Sequence, residues 1–135
     1  MLDHMSFTVI DFSKSLVFYD ETLKILGYER LMLFETEEHQ VAGYGDHGKP
    51  YFWIGVEAHS KTGDDYQKKD FHVAFKAPDS QSIHVWYNKC LELGGQDNGA
   101  PGPRPEYHPG YYAAFIIDPN GCRIEAVIHD YQAIV

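Results

Sequence analysis

Residues 4–27, HMSFTVIDFSKSLVFYDETLKILG, align without a gap on residues 72–95, HVAFKAPDSQSIHVWYNKCLELGG. Seven of these 24 positions are identical: His4 with His72, Phe7 with Phe75, Asp11 with Asp79, Val17 with Val85, Tyr19 with Tyr87, Leu23 with Leu91 and Gly27 with Gly95. Unrelated sequences share roughly one or two identities over such a window. The chain therefore carries an internal repeat at an offset of 68 residues. Further on, Tyr44 falls on Tyr112, and Val56-Glu57-Ala58 falls on Ile124-Glu125-Ala126. These matches predict that the offset holds to the end of each copy.

Working outward, each copy reads as a strand, a helix and further strands. Residues 4–10 alternate, with Met5, Phe7 and Val9 on one face and His4, Ser6 and Thr8 on the other, which is the period of a strand. Asp11 or Ser13 can cap a helix whose apolar residues, Leu16, Tyr19, Leu23 and Leu26, recur every three or four positions, and Gly27 suits its C-terminal end. Strands are predicted near 28–34, 40–45 and 51–58, the last two joined at Gly45-Asp46-His47-Gly48. The second copy predicts a strand over 71–77, a helix capped by Asp79 or Ser80 and running to Leu93, and strands near 96–98, 111–117 and 122–129. Its last two strands join at Asp118-Pro119-Asn120-Gly121. The polar stretch 59–70 reads as a linker, so one domain of 1–135 is expected, with module one at 1–58 and module two at 71–135.

Bulk properties narrow the function. The length of 135 residues and hydrophobic content of 44% fit one domain with a real core. A net charge of −9 with no clustered Lys or Arg excludes the electrostatics of nucleic-acid binding. The N-terminal MLDHMSFTVIDF lacks the order of a signal peptide, and no apolar run reaches the ~20 residues of a membrane span. Cys90 and Cys122 lack metal or redox spacing and read as reduced core residues of a cytoplasmic protein.

The repeat also selects residues for chemistry. On each relevant strand one face is apolar, and the opposite face carries His4, Glu57, His72 or Glu125. If helices cover the apolar faces, all four polar side chains lie on the other side of the sheet. A lone histidine opening a strand is ordinarily structural, but a His and a Glu kept at matched positions form a mixed N/O donor set suited to Zn²⁺, Ni²⁺, Mn²⁺ or Fe²⁺. Glu57 rests on the offset staying in register to the end of the first module; a shift in that strand brings Gly55 to the place instead.

His4 opening the first strand, Phe18-Tyr19 and Leu26-Gly27 on the helix, His72 opening the second module and Asp118-Pro119-Asn120-Gly121-Cys122-Arg123-Ile124-Glu125 closing it together resemble the vicinal oxygen chelate superfamily. That group holds glyoxalase, bleomycin resistance proteins and extradiol dioxygenases. The resemblance covers essentially the whole chain. It implies an α+β fold of two tandem βαβββ modules forming a cupped mixed sheet with helices outside. It also implies a divalent metal held by His4, Glu57, His72 and Glu125, or by His4, His72 and Glu125 alone, with Glu125 and Glu57 as catalytic groups. The expected function is a metal-dependent lyase or isomerase acting on a small oxygenated substrate, in a homodimer. A non-catalytic small-molecule binder and an extradiol-type dioxygenase are the alternatives.

The segment 98–112, NGAPGPRPEYHPGYY, is read as a stiff loop that carries Tyr111 and, as substrate-binding candidates, Arg104, Tyr107, His108 and Tyr112 toward the final strands. Arg104 suits a carboxylate or phosphate, and His108 or Tyr112 suits proton transfer. A rigid surface loop or dimer contact explains the segment equally well. His39, His47, His59, His84 and His129 have no repeat partner and are read as ordinary residues.

Overall fold

The computed structural model describes residues 1–57 and 72–134, so the linker expected at 59–70 lies outside the described residues. The first module runs β1 (Met5–Thr8), α1 (Phe12–Ile25), β2 (Glu29–Glu35), β3 (His39–Asp46) and β4 (Lys49–Glu57). The second runs β5 (His72–Lys76), α2 (Ser80–Glu92), β6 (Gln96–Pro103), β7 (Tyr112–Ile117) and β8 (Arg123–Ile128). Each module forms one mixed sheet, ordered β1-β4-β3-β2 and β5-β8-β7-β6, in which only β1/β4 and β5/β8 are parallel. This is the tandem βαβββ architecture.

Local chemistry explains the elements. Asp11 accepts from the Lys14 backbone N–H at 3.0 Å, and Asp79 accepts from that of Ser82 at 2.7 Å, so both helices begin with a satisfied side-chain cap. Those bonds hold the Asp79 carboxyl below the usual carboxylate range. Gly27, at φ 94°, supplies the left-handed residue that ends the first helix. Ser15, Phe18 and Thr22 are buried on α1, and their counterparts 68 positions on, Ile83, Trp86 and Cys90, are the buried residues of α2. His47 and Gly48, at φ 49° and 77°, form the two-residue turn between β3 and β4.

The final turn ties the modules together. Asp118, only 3% exposed, accepts at Oδ1 from the backbone N–H of Asn120 and Cys122, and at Oδ2 from Tyr19 Oη at 2.5 Å and Asn120 Nδ2 at 3.1 Å. Asn120 in turn accepts from the Ile10 backbone N–H at 2.9 Å and donates to Ser15 Oγ at 3.1 Å. α1 packs on α2, Tyr28 donates to the Lys76 carbonyl at 2.8 Å, and Phe52 meets Phe75 edge-on at 5.1 Å. The helix-covered faces of both sheets therefore share one core. Cys90 and Cys122 lie in it without a disulfide, and burial pushes the Cys90 thiol up. Among the described residues no helix is long and apolar enough to cross a membrane.

Two sequence readings change. β6 extends to Pro103, beyond the strand expected at 96–98, with irregular register around Gly99 and before Gly102. Pro101 and Pro103 are tolerated because β6 is the edge of its sheet, where a missing N–H faces no partner strand.

The 68-residue offset also stops at the end of β2. Glu35 pairs with Gln40 across a loop of residues 36–39, whereas its counterpart Pro103 pairs with Tyr112 across residues 104–111, a loop four residues longer. Beyond it the offset is 72. Ser6 faces Trp53 while its counterpart Ala74 faces Glu125, and Gly43 faces Trp53 as Phe115 faces Glu125.

Candidate functional site

Strand alternation puts Arg123 and Glu125 on the face of β8 opposite the core residues Ile124 and Ala126. His72 reaches that face from the neighbouring β5, where Ala74 is the residue directly opposite Glu125. The Glu125 carboxylate is 1% exposed; its Oε2 lies 3.1 Å from His72 Nε2, and its Oε1 accepts from the Tyr111 hydroxyl. Burial and then the bond to Glu125 push the Tyr111 hydroxyl well above the ordinary tyrosine range. His72 itself is half-exposed, so the pair is reached from solvent on the histidine side.

Around Tyr111 stands a second ring of groups. Its ring meets those of Tyr107, His108 and His129 edge-on, with centroids 5.0, 5.3 and 5.1 Å away. His108 Nδ1 lies 2.7 Å from the Pro109 carbonyl, which can only accept, so that nitrogen carries the proton. A neutral His108 then accepts at Nε2 from His129 Nδ1, 2.9 Å away. Beside His72 opens a cavity of about 350 Å³ lined by Asn98, Gly99, Arg104, Tyr107, Phe115 and Arg123. Arg104 donates to the Ala100 and Pro103 carbonyls at 2.7 and 3.2 Å and lies over the Phe115 ring, 5.5 Å from its centroid.

Tyr112, the adjacent residue, points the other way. It is buried against α2, its hydroxyl 2.6 Å from His84 Nε2, in the contact between helix and sheet. Tyr111, not Tyr112, stands with Glu125.

In the first module, His4 immediately precedes β1, with Nδ1 2.7 Å from Asp3 Oδ1; Lys49 Nζ approaches the same oxygen at 2.9 Å. Those two bonds hold the Asp3 carboxyl below its usual range. With Nδ1–H donating to a carboxylate, Nε2 of His4 presents its lone pair outward, the tautomer seen in metal-ligating histidines. The register puts Trp53 where Glu125 stands in the second module. Its indole lies against Gly43, where an added Cβ would come within 2.8 Å of the ring. Glu57 closes β4 opposite His39, four residues beyond Trp53, or ~13 Å along the strand. The structure thus brings His72 and Glu125 together. It leaves His4 on the other module and Glu57 away from both, and among the described residues no three His, Cys, Asp or Glu converge as a metal site.

A family model described as Glyoxalase/Bleomycin resistance protein/Dioxygenase superfamily matches residues 1–126. The chain belongs to this superfamily. Its fold is similar to that of a glyoxalase/bleomycin resistance protein from Albidiferax ferrireducens T118, with a TM-score of 0.69 at 22% identity, covering 93% of this chain and 96% of that one. It is also similar to a glyoxylase/bleomycin resistance protein/dioxygenase domain from Frankia sp. EAN1pec, with a TM-score of 0.69, 17% identity and coverage of 96% and 97%. Against glyoxalase I from Zea mays the TM-score is 0.70 at 22% identity, covering 95% of this chain and 46% of the maize protein. No curated protein sequence matches the chain.

Within this superfamily fold, three groups stand in places to which sequence reasoning gave no role, although Tyr111 lies in the 98–112 segment it singled out. Tyr111 carries the hydrogen bond to Glu125, His129 stacks on His108, and Arg123 directly faces His72 across the strands. Arg123 was detectable, since it lies two residues before Glu125 on an alternating strand. Tyr111 and His129 needed the hairpin register, which the sequence leaves open.

Proposed function

We propose that this chain is a divalent-metal-dependent enzyme of lyase or isomerase type acting on a small oxygenated substrate, with His4, His72 and Glu125 as the protein ligands. The observation that carries this reading is the 3.1 Å approach of His72 Nε2 to a buried Glu125 oxygen whose companion oxygen is held by Tyr111. Adjacent ligands on one ion, each ~2.0–2.2 Å from it, stand ~3 Å apart. The spacing therefore fits a shared cation, and an imidazole with a carboxylate suits Zn²⁺, Ni²⁺, Mn²⁺ or Fe²⁺. A bound ion would supply Lewis-acid polarisation of adjacent substrate oxygens.

The chain's own groups have distinct work. Tyr111 holds Oε1 of Glu125, so that Oε2 is the oxygen turned to His72. His108 and His129 form a solvent-accessible pair beside Tyr111 that can hold or pass a proton, and Arg104 and Tyr107 line the approach to His72. Trp53 in place of a second carboxylate argues for the three-ligand set and thus for open positions toward the substrate. That favours addition or elimination over chemistry shared by two carboxylates.

In this reading His4 joins the set from a second copy of the chain. The two modules share a core through their helix-covered faces, so the face with His4 and the face with His72 meet when module one of one protomer closes on module two of its partner. The assembly this reading implies is a homodimer. Buried Cys90 and Cys122, neither in a disulfide, fit a cytoplasmic setting.

Metal analysis tests the reading. Protein purified without added metal, then offered Ni²⁺, Zn²⁺ or Mn²⁺, is expected to take up about one equivalent per chain and to melt higher. His72→Ala and Glu125→Ala should each abolish tight uptake. Less than about a tenth of an equivalent, with no thermal gain, overturns the reading and leaves a non-catalytic binding protein.

A further inference from the structure

The wall beside His72 carries charge of one sign. Arg123 is the residue directly opposite His72 across the parallel β5/β8 pair, and it shares the outward face with Glu125. Its guanidinium is exposed and makes no ion pair among the described residues. Arg104 lines the same cavity of about 350 Å³, and no Asp or Glu does. A second cavity, of about 650 Å³, shares Asn98 and Arg123 with the first and adds Lys14. Its single acid is Asp118, whose two oxygens are already taken by Tyr19, Asn120 and Cys122. Three cations thus line one continuous wall with no free carboxylate, in a chain whose net charge is −9. Such a wall is a local positive field on an otherwise acidic protein.

We infer that this wall is an anion-binding subsite in which Arg123, supported by Arg104, takes a carboxylate or phosphate group of the ligand. A guanidinium presents two parallel N–H donors, the geometry that binds either oxyanion bidentately. Arg104 is held in place by two backbone carbonyls and the Phe115 ring, so it is positioned before any ligand arrives. Arg123 is free to adjust, and it stands between the His72–Glu125 pair and the Lys14 end of the wall. A ligand anchored there would place its remaining atoms over the pair. That makes the substrate of the proposed enzyme an oxygenated small acid; this last step rests on the metal reading, while the anion site itself does not.

Chelator-treated full chain is titrated calorimetrically at low ionic strength with inorganic phosphate and, separately, with oxalate. Saturable binding of at least one is expected, and the stronger of the two tells phosphate from carboxylate. Arg123→Gln should weaken it at least about tenfold, the usual scale for a lost charged hydrogen-bond partner. Arg104→Gln should weaken it several-fold, and Arg123→Lys should recover part of the loss. Arg123 is exposed, so an unchanged melting temperature in Arg123→Gln certifies the fold. Absence of saturable binding, or Arg123→Gln binding like the parent, overturns the subsite. Anion binding without metal uptake would refute the metal reading alone, and metal uptake with no response to either anion would refute this one alone.

Discussion

Replacing Asp118 by Ala tests the joint that holds the second hairpin on the first helix. The carboxylate is buried and accepts four hydrogen bonds, from the Asn120 and Cys122 backbone N–H groups, Asn120 Nδ2 and Tyr19 Oη. Asn120 Nδ2 can turn to Ser15, its existing partner, but the Tyr19 hydroxyl and the backbone N–H groups of Asn120 and Cys122 lose their bonds to the carboxylate. Each stranded donor costs about 1–3 kcal/mol, and hydrogen bonds to a charge do not add independently. The expected total is about 3–5 kcal/mol, a large part of the roughly 5–15 kcal/mol that holds a domain together. At about 3–5 °C per kcal/mol for a domain of this size, the melting temperature should fall by ~10–20 °C.

Tyr19→Phe removes one donor and leaves Asp118 three partners, so it should cost only about 1–2 kcal/mol. The same pair sets an alkaline limb. Burial, and then the charge of Asp118, push the Tyr19 hydroxyl well above the ordinary tyrosine range. The folded chain keeps a proton that unfolded tyrosine releases near pH ~10, so this stability is complete below that pH and declines above it. The slope is up to about 1.4 kcal/mol per pH unit for this group, and Tyr19→Phe should remove that share while Tyr44, also shifted upward by burial, retains its own. Urea unfolding from pH 7 to 11 reads both effects. An Asp118→Ala cost under about 1 kcal/mol, or an alkaline slope unchanged in Tyr19→Phe, would refute the account.

Glu57→Gln should leave metal uptake unchanged while Glu125→Gln removes it; a matching loss in both would show that the four-ligand arrangement governs and that the strand register does not. Tyr111→Phe should lower metal affinity by about 10–100-fold, as loss of a group orienting a ligand does. Tyr112→Phe should leave affinity intact and lower stability by about 1 kcal/mol, since only the His84 contact is lost; titration and melting on both variants separate the two roles. Gly45→Ala should prevent stable folding of the first module, because a Cβ there would lie 1.8 Å from the Lys49 carbonyl oxygen. Far-UV circular dichroism of a normally folded Gly45→Ala protein would contradict the hairpin geometry.

Both helices, caps narrowed to Asp11 or Ser13 and to Asp79 or Ser80, and a shared face for His72 and Glu125 were legible from period and repeat, because each depends on neighbours in sequence or on simple alternation. The extension of β6 was not, since prolines read as strand breakers until the strand is known to be an edge. The slip from 68 to 72 was hidden for a different reason. A four-residue slip is even, so every residue of β4 keeps its face under either offset, and inward and outward patterns cannot tell the two apart. Val56-Glu57-Ala58 lying over Ile124-Glu125-Ala126 then looked like continued repetition. Only the backbone pairing of Ser6 with Trp53, against Ala74 with Glu125, separates them.

The location of that slip bears on function. The four extra residues fall within 104–111, the segment that brings Arg104, Tyr107, His108 and Tyr111 to the face carrying Glu125. The corresponding short loop of module one, residues 36–39, brings no such set, and the corresponding strand position holds an indole flat against Gly43. The two modules are alike in frame and unlike in chemistry. Module two holds the carboxylate, its tyrosine and the two arginines; module one holds one imidazole, Lys14 and an apolar wall. When the two come from different protomers, a symmetric dimer holds two identical sites, each with a polar side and an apolar side. A substrate bound there would have its acid group against Arg123 and its less polar part toward Trp53, so its orientation would follow from how the modules differ.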